Sequence, residues 1–548
     1  MSSSPATRMK RRVDHKQIVD LFYFPTTYRL GEWLDEQFPV HTAGRKSRYD
    51  SATLLAIAAS ARICGSTRDG VEEALALEGN WERCRQAHRK YSRSGLVLPD
   101  RAPSYDQVRA FRARVTCDAQ IMRGLQRLFR ECAIKQAIGL GNFTAHADGP
   151  DWSQPDERRT IYGDGTVVSP FSNVQAVRNP LTGETVLHGS RATDPTRARI
   201  QDFHPKTNPD NKPARGVNGV AVHTWTDYGR VCLATANALG AESRTAMDVI
   251  DDVVALLGDA GDIDRVIWDR ALCGWMIDYL LAQHGIQLQG KSVAASSDNA
   301  HDRKISDKVL KAMVDDMAAG LDKKPTPQER QQLRKDAIQQ MLDKDALTPL
   351  GTSVYETGKG HDLVHGENVK FAISHDVPSG SCRHQVAVDD GALFLTMTKT
   401  DAEAEAEAEA EATIYKTVHL PCVSSKRVLG PDGHGRIDTF EVPCTHGSFE
   451  YTRQWLPSSQ RGPAGDRTQD DQIGRFLRPI SRTDTERFAP IIGRRNDAES
   501  FNSQYKETLH KGVAASQTLA GQELDFLFGA VVNNSRTWSR YAQVIYAS

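Results

Sequence analysis

The sequence predicts an α/β fold: a mixed sheet with flanking helices, interrupted by a β-rich insertion and preceded by a helical N-terminal domain. Three observations carry this. Residues 246–257 are apolar at helical spacing, Val266, Ile267 and Trp268 read as a short buried strand, and 274–285 return to helical spacing. Residues 219–225 and 230–236 alternate on either side of Asp227-Tyr228-Gly229, the pattern of a hairpin. Five short strand-like runs, 370–374, 385–388, 392–398, 414–420 and 437–442, then crowd into the second half. Strands alternating with helices make a layered fold whose ligand crevice lies at the carboxyl ends of the strands.

At 548 residues the chain is too long for one ordinary core, and 39% hydrophobic with 25% charged residues is a globular balance. The expected division is 1–140, helical and basic; 141–292, the first part of the core; 293–485, the insertion; and 486–548, the second part of the core. The net charge of −1 is unevenly spread. No apolar run approaches the ~20 residues of a membrane span, and the basic start, 1–12, lacks an apolar signal core. A soluble protein of the cytoplasm with access to the nucleoid is expected, with no membrane partner. Nine cysteines without a secreted pattern fit reduced thiols.

In the first domain, 51–64 is a strongly apolar helix and 70–77 a short one. Ser104 caps a helix through Val108, Phe111 and Val115, and 120–137 continues the pattern. Between Trp81 and Arg130 there are twelve Arg or Lys against four acids, a strong positive field. Arg109, Arg112, Arg123, Arg127 and Arg130 are the candidate phosphate contacts, the alternative being a solvated face of an ordinary helical domain. There is no clean helix-turn-helix signature.

Two acids stand where a core strand would place a ligand group. Asp269 follows the Val266–Trp268 run. Asp164 lies in Gly163-Asp164-Gly165-Thr166, ahead of Val167-Val168, a spacing that suits a strand turn. Asp148 is a rival for the first position, but Pro150 blocks continuation of a central strand. The insertion begins charged and helical over 302–347, with breaks at Pro325 and Pro327, before its strands. The Glu-Ala repeat of 401–412 reads as a solvated linker. Residues 453–487, rich in Arg, Gly, Pro and Asp, read as a mobile connector. Cys382, His384, Cys422, Cys444 and His446 are zinc-type ligands, but the one-residue spacings are unusual and Cys422 has no local partner. Isolated thiols and surface histidines are the expectation there. His361 and His365 near Asp362 are a weaker pair still.

In Arg495-Asn496-Asp497-Ala498-Glu499-Ser500-Phe501-Asn502-Ser503-Gln504-Tyr505-Lys506, helical spacing stacks Arg495, Glu499, Asn502 and Lys506 on one stripe. Phe501, Tyr505 and Leu509 form an apolar face. One carboxylate between two cations suits a site that holds a metal ion and a phosphate backbone together.

This spacing resembles the Tyr-Arg-Glu-Lys signature of bacterial insertion-sequence transposases of the DDE class, and Asp164-Gly165-Thr166 resembles the motif carrying their first catalytic Asp. The resemblance runs in discontinuous pieces from Asp164 to about Lys506. It departs at Ile492, where the family has its Tyr. It implies a ribonuclease-H-like core that cleaves DNA and transfers strands with two Mg²⁺ ions, Mn²⁺ substituting. Asp164 would bridge both ions, Asp269 hold one and Glu499 the other. Arg495 and Lys506, with Asn502 on the same stripe, would contact DNA. The partners implied are double-stranded transposon ends and target, bound by a homodimer, and the insertion would position or protect a hairpin end. Alternatives remain: a domesticated or inactive relative acting as a DNA-binding regulator or nuclease, or a structural DNA-binding protein. In the last, Glu499 is part of a capping box with Asn496, Asp269 a loop ion pair and Asp164 turn chemistry.

Overall fold

The structure is a computed structural model. It describes residues 16–38, 48–169 (except 66–67, 78 and 148), 214–290 (except 240–241, 269–270 and 273), 370–398 (except 390), 414–459 and 469–547 (except 482, 510–512 and 517), with short pieces at 175–178, 185–188, 199–200, 356–357 and 361–363 and parts of 314–337. The linker 401–412, the rival Asp148, His365 and most of 302–347 lie outside the described residues. The protein is mixed α/β, and its chain forms two compact units: Met1–His146 with Asp156–Ala271 and Ile492–Ser548, and Ala147–Pro155 with Leu272–Ile491.

The first unit opens with helices α1 (Lys16–Tyr23), α2 (Pro25–Gln37), α3 (Ser51–Ser60), α4 (Arg68–Ala76), α5 (Asn80–Tyr91), α6 (Tyr105–Thr116) and α7 (Ala119–Gly139). Their starts are written locally. Asp50 accepts from Thr53 N–H at 2.9 Å to cap α3, and Ser104 and Gln107 form a reciprocal capping box on α6. The α3 helix is apolar all round because it is buried all round. It meets α2 so closely that a Cβ on Gly31 would fall 2.3 Å from Ala52.

Next come strands β1 (Thr160–Val168), β2 (Val217–Thr226) and β3 (Gly229–Ala238), helix α8 (Glu242–Leu257) and strand β4 (Arg265–Ile267). The strands run in the order β3-β2-β1-β4. β2 is antiparallel to both β3 and β1, with Thr226 opposite Gly229 across a tight turn, and β1 is parallel to β4, with Tyr162 level with Ile267. Two further helices complete the unit, the Glu499 helix (Arg495–Thr508) and the C-terminal helix (Leu519–Ala547). Asn534 of the C-terminal helix caps the β3 edge, accepting from Cys232 N–H at 2.7 Å and donating to its carbonyl at 2.8 Å.

The Gly163-Asp164-Gly165 stretch is not a turn. It lies inside β1, each residue paired with β2 (Val222, Ala221 and Val220). The glycines are there for space: a Cβ on Gly163 would fall 1.6 Å from the Trp268 ring, and one on Gly165 1.9 Å from the Glu242 carboxyl carbon. Strand alternation then turns Asp164 to the opposite face, under the Glu499 helix.

The second unit is built on two antiparallel sheets. One contains β5 (Lys370–Val377), β6 (Gly380–Asp389), β7 (Ala392–Thr398) and β8 (Ile414–Leu420), in the order β8-β7-β6-β5, with Glu356–Thr357 and His361–Leu363 on the β8 side. The other is β9 (Cys422–Gly430), β10 (Gly433–Val442) and β11 (Phe449–Trp455). Ile373, Val386, Leu393, Leu420, Phe440 and Leu477 share one apolar core. Of the expected mobile connector 453–487, residues 460–468 and 482 lie outside the described residues, and the described remainder is folded. It holds the end of β11, helix Gln469–Phe476 and the start of helix Thr485–Gly493, and Arg475 is buried in an ion pair with Asp278. A basic, proline-rich composition conceals such pairing when the carboxylate lies far away in the chain. Among the described residues no helix is long and apolar enough to cross a membrane.

Candidate functional site

Asp164 is half-buried in the middle of β1 and meets the Glu499 helix directly: Asn502 Nδ2 donates to Asp164 Oδ2 at 2.9 Å and reaches the Gly165 carbonyl at 3.4 Å. Glu499 lies three residues earlier, about 4.5 Å along the helix axis and on the same stripe. Its side chain is 51% exposed and pairs with Arg495 Nη2 at 3.1 Å. Lys506 is half-buried one turn beyond Asn502. Arg495, Glu499, Asn502 and Lys506 thus line one stripe of a helix seated over Asp164.

Asn496 is inside this helix rather than at its start, because the N-cap position is Arg494 without a side-chain cap bond. A capping box between Asn496 and Glu499 is therefore not formed. Ile492 belongs to the preceding helix, with a break at Arg494, so it is not part of the stripe. Asp269 lies outside the described residues; Trp268 before it is fully buried, and its Nε1 donates to Glu242 Oε1 at 3.2 Å.

The helix is held by residues that sequence reading missed. Buried Arg230 of β3 donates to the Asp497 carbonyl, to Ser500 Oγ at 3.1 Å and to Gln504 Oε1 at 3.3 Å, and lies over the Phe501 ring. Burial lowers its guanidinium to about 10. Arg494 pairs with Glu157 at 2.9 Å and lies over Trp225. Beneath, Phe501 and Tyr505 pack on Phe526 of the C-terminal helix, with ring centroids 5.8 and 4.7 Å apart. Only the apolar spacing of Phe501, Tyr505 and Leu509 hinted at this seat; nothing local marks Arg230.

The arginines of the helical region divide in two. Arg109, Arg123 and Arg127 are exposed, Arg127 beside Glu131 at 3.3 Å. Arg112 instead donates to Asp525 at 2.6 Å and to Ser516 Oγ at 2.9 Å, and Arg130 pairs with Asp252 with little exposure. A guanidinium already held by an internal carboxylate has little left for phosphate. His146, Asp156 and Asp264 also converge, but Asp264 precedes β4, at the end of the sheet away from Asp164, and His146 Nε2 is 2.6 Å from it. That group is a hydrogen-bonded cluster at the far end of the sheet.

Chemically, the arrangement sets two carboxylates, one amide and two cations on adjoining surfaces of a strand and a helix. Carboxylate and amide oxygens suit Mg²⁺. In the i,i+4 pair of Glu499 with Arg495 the carboxylate is 51% exposed and the guanidinium 15%, so water reaches Glu499, which can exchange that partner for a metal. No family model and no curated protein matches the chain.

Proposed function

We propose that this chain is a DNA-cleaving and strand-transferring enzyme, a transposase of the DDE class with a ribonuclease-H-like core. The observation that carries the reading is the 2.9 Å contact of Asn502 with Asp164, which seats the Glu499 helix against the strand bearing the first acid. The strand order β3-β2-β1-β4, with only β4 parallel to β1, supports the same core. Asp269 follows Ile267 by the same two-residue step that separates Asp164 from Tyr162, the pair that stands level across β1 and β4.

Asp164, Asp269 and Glu499 would hold two Mg²⁺ ions, or Mn²⁺ in their place, which when bound activate an attacking oxygen and stabilise a leaving one at phosphorus. Asn502 orients the Asp164 carboxylate by donating to one of its oxygens. Arg495, freed from Glu499, offers a planar fork to a phosphate, and Lys506 a point charge. Exposed Arg109, Arg123 and Arg127 supply sequence-independent attraction to double-stranded DNA. Joining two DNA ends calls for a homodimer.

A second reading, DNA binding without cleavage, draws on the same ion pair: Glu499 held by Arg495 is also a plain helix pair. Asp269→Asn and Glu499→Gln separate the two. With DNA from the flanks of its own coding sequence, each variant should lose Mg²⁺-dependent end cleavage and keep the gel-shift affinity of the parent. Cleavage undiminished in Asp269→Asn would reject the catalytic assignment.

A further inference from the structure

The second unit carries a cluster of soft ligands unrelated to the acids of β1. In the β5–β6 hairpin His375 stands directly across from Cys382, and alternation puts His384 on the same face as Cys382. The chain after β10 turns at Cys444, closed by Gly447 N–H donating to the Cys444 carbonyl at 3.1 Å, and brings that thiol to the hairpin. His375 Nε2 lies 3.3 Å from Cys444 Sγ, His384 Nε2 3.5 Å from Cys382 Sγ, and the two sulfurs are 3.7 Å apart. All four atoms lie within 4.8 Å of one another, on half-buried side chains. Phe449 stacks on His375 at 3.9 Å and flanks His384 at 5.5 Å, which fixes both imidazoles.

These separations match one geometry. Zn–S bonds of ~2.3 Å at the tetrahedral angle set two sulfurs ~3.8 Å apart, and with Zn–N of ~2.0–2.1 Å a sulfur and a nitrogen ~3.5 Å apart. We propose that His375, Cys382, His384 and Cys444 form a tetrahedral Zn²⁺ site. Two thiolates neutralise the ion, and thiolate with imidazole selects Zn²⁺ over Mg²⁺. With four protein ligands no position is left for water, so the site is structural: it ties the β5–β6 hairpin to the β10–β11 turn at the edge of their common core.

The set differs from the one that sequence spacing offers. Cys422 is buried on β9, its Sγ directed to the Ser424 carbonyl at 3.2 Å, and takes no part. His446 stays outside the four; its N–H points at Cys444 Sγ at 3.4 Å and, first among several donors, pulls that thiol down to about 5. His375 completes the set, seven residues before Cys382 and across a strand pair.

The test uses the full chain, purified in reductant without chelator. Elemental analysis should find one zinc per chain, lost in Cys382→Ser and Cys444→Ser and kept in Cys422→Ser. Co²⁺ added to the metal-stripped parent should give thiolate-to-metal charge transfer and the intense visible bands of a tetrahedral ion. That parent spectrum stands whether or not a variant folds, and circular dichroism checks each variant. A parent that holds no zinc and shows no Co²⁺–thiolate absorption would overturn the proposal. So would zinc retained by Cys382→Ser, or a Cys382–Cys444 disulfide in its place.

Discussion

An amide, rather than a further carboxylate, faces Asp164 from the Glu499 helix, and the difference is electrostatic. A carboxylate at 2.9 Å would repel Asp164, whereas Asn502 Nδ2 donates to it and leaves its charge for a cation. Asn502→Ala removes that donor and nothing from the helix backbone. Partners that orient metal-binding carboxylates are typically worth 10–100-fold in metal affinity or activity, so under the proposed function cleavage should fall by about that factor and the Mg²⁺ requirement should rise. A Mg²⁺ titration of end cleavage reads both, and an unchanged curve would remove Asn502 from the site. The glycines beside Asp164 give a prediction of order. At Gly163 a methyl group meets the ring of fully buried Trp268, which has nowhere to go, and overpacking of this kind costs about 1–3 kcal/mol. At Gly165 it meets the end of Glu242, which can swing aside and give up the Trp268 hydrogen bond, at about 1 kcal/mol. Urea midpoints should therefore rank the parent above Gly165→Ala and Gly165→Ala above Gly163→Ala; the reverse order of the two variants would contradict the packing argument.

Within the first unit, the N-terminal helices and the C-terminal helix are joined by charge as well as by apolar contact. Asp525 of the C-terminal helix is almost fully buried, takes Arg112 of α6 at 2.6 Å and Ser516 Oγ at 2.6 Å, and has Arg62 at 3.8 Å. These partners hold its carboxyl below the usual range against the opposing effect of burial. Asp525→Ala strands two guanidinium groups and should cost about 3–5 kcal/mol; a loss below 1 kcal/mol in urea unfolding would mean that water reaches the arginines. This network shows where sequence reading stops. The cap at Ser104, the apolar α3, the β2–β3 hairpin and the stripe on the Glu499 helix are legible because each rests on neighbours within a few residues. Arg112 read as a phosphate contact because its carboxylate lies four hundred positions away. Gly163 and Gly165 read as turn residues because the side chains that exclude a Cβ come from Trp268 and Glu242. Arg475 read as part of a mobile connector because Asp278 is out of local range. Periodicity and caps are local properties, whereas charge pairing and steric exclusion belong to the folded chain.

Acid should loosen the molecule around one buried ring. His223 of β2 is fully buried, packs on Phe501 of the Glu499 helix at 4.7 Å, and neither ring nitrogen has a hydrogen-bond partner among the described residues. Burial first, and Arg230 second, hold it well below the ordinary imidazole value. The folded chain therefore keeps His223 neutral while the unfolded chain takes up a proton below pH ~6.5. Its contribution is complete above that pH and is lost as pH falls, at up to about 1.4 kcal/mol per unit. Glu523 acts in the opposite sense. Burial raises it to about 7, so between the ordinary carboxylate range and that value the folded chain holds the extra proton and gains stability as pH falls. The two partly cancel in the parent, so the diagnostic quantity is the difference between parent and His223→Leu. Leucine removes the titrating group and both unpartnered nitrogens, so the variant should gain on the parent by about 1.4 kcal/mol between pH 7.5 and 5.5, read as urea unfolding by circular dichroism. Parallel profiles would mean that His223 titrates alike in the folded and unfolded chain. Because this buried, unpartnered ring lies under Phe501, the acid-sensitive part of the fold is the seat of the helix that presents Glu499 and Asn502, and the proposed cleavage activity should decline with acid before the whole sheet unfolds.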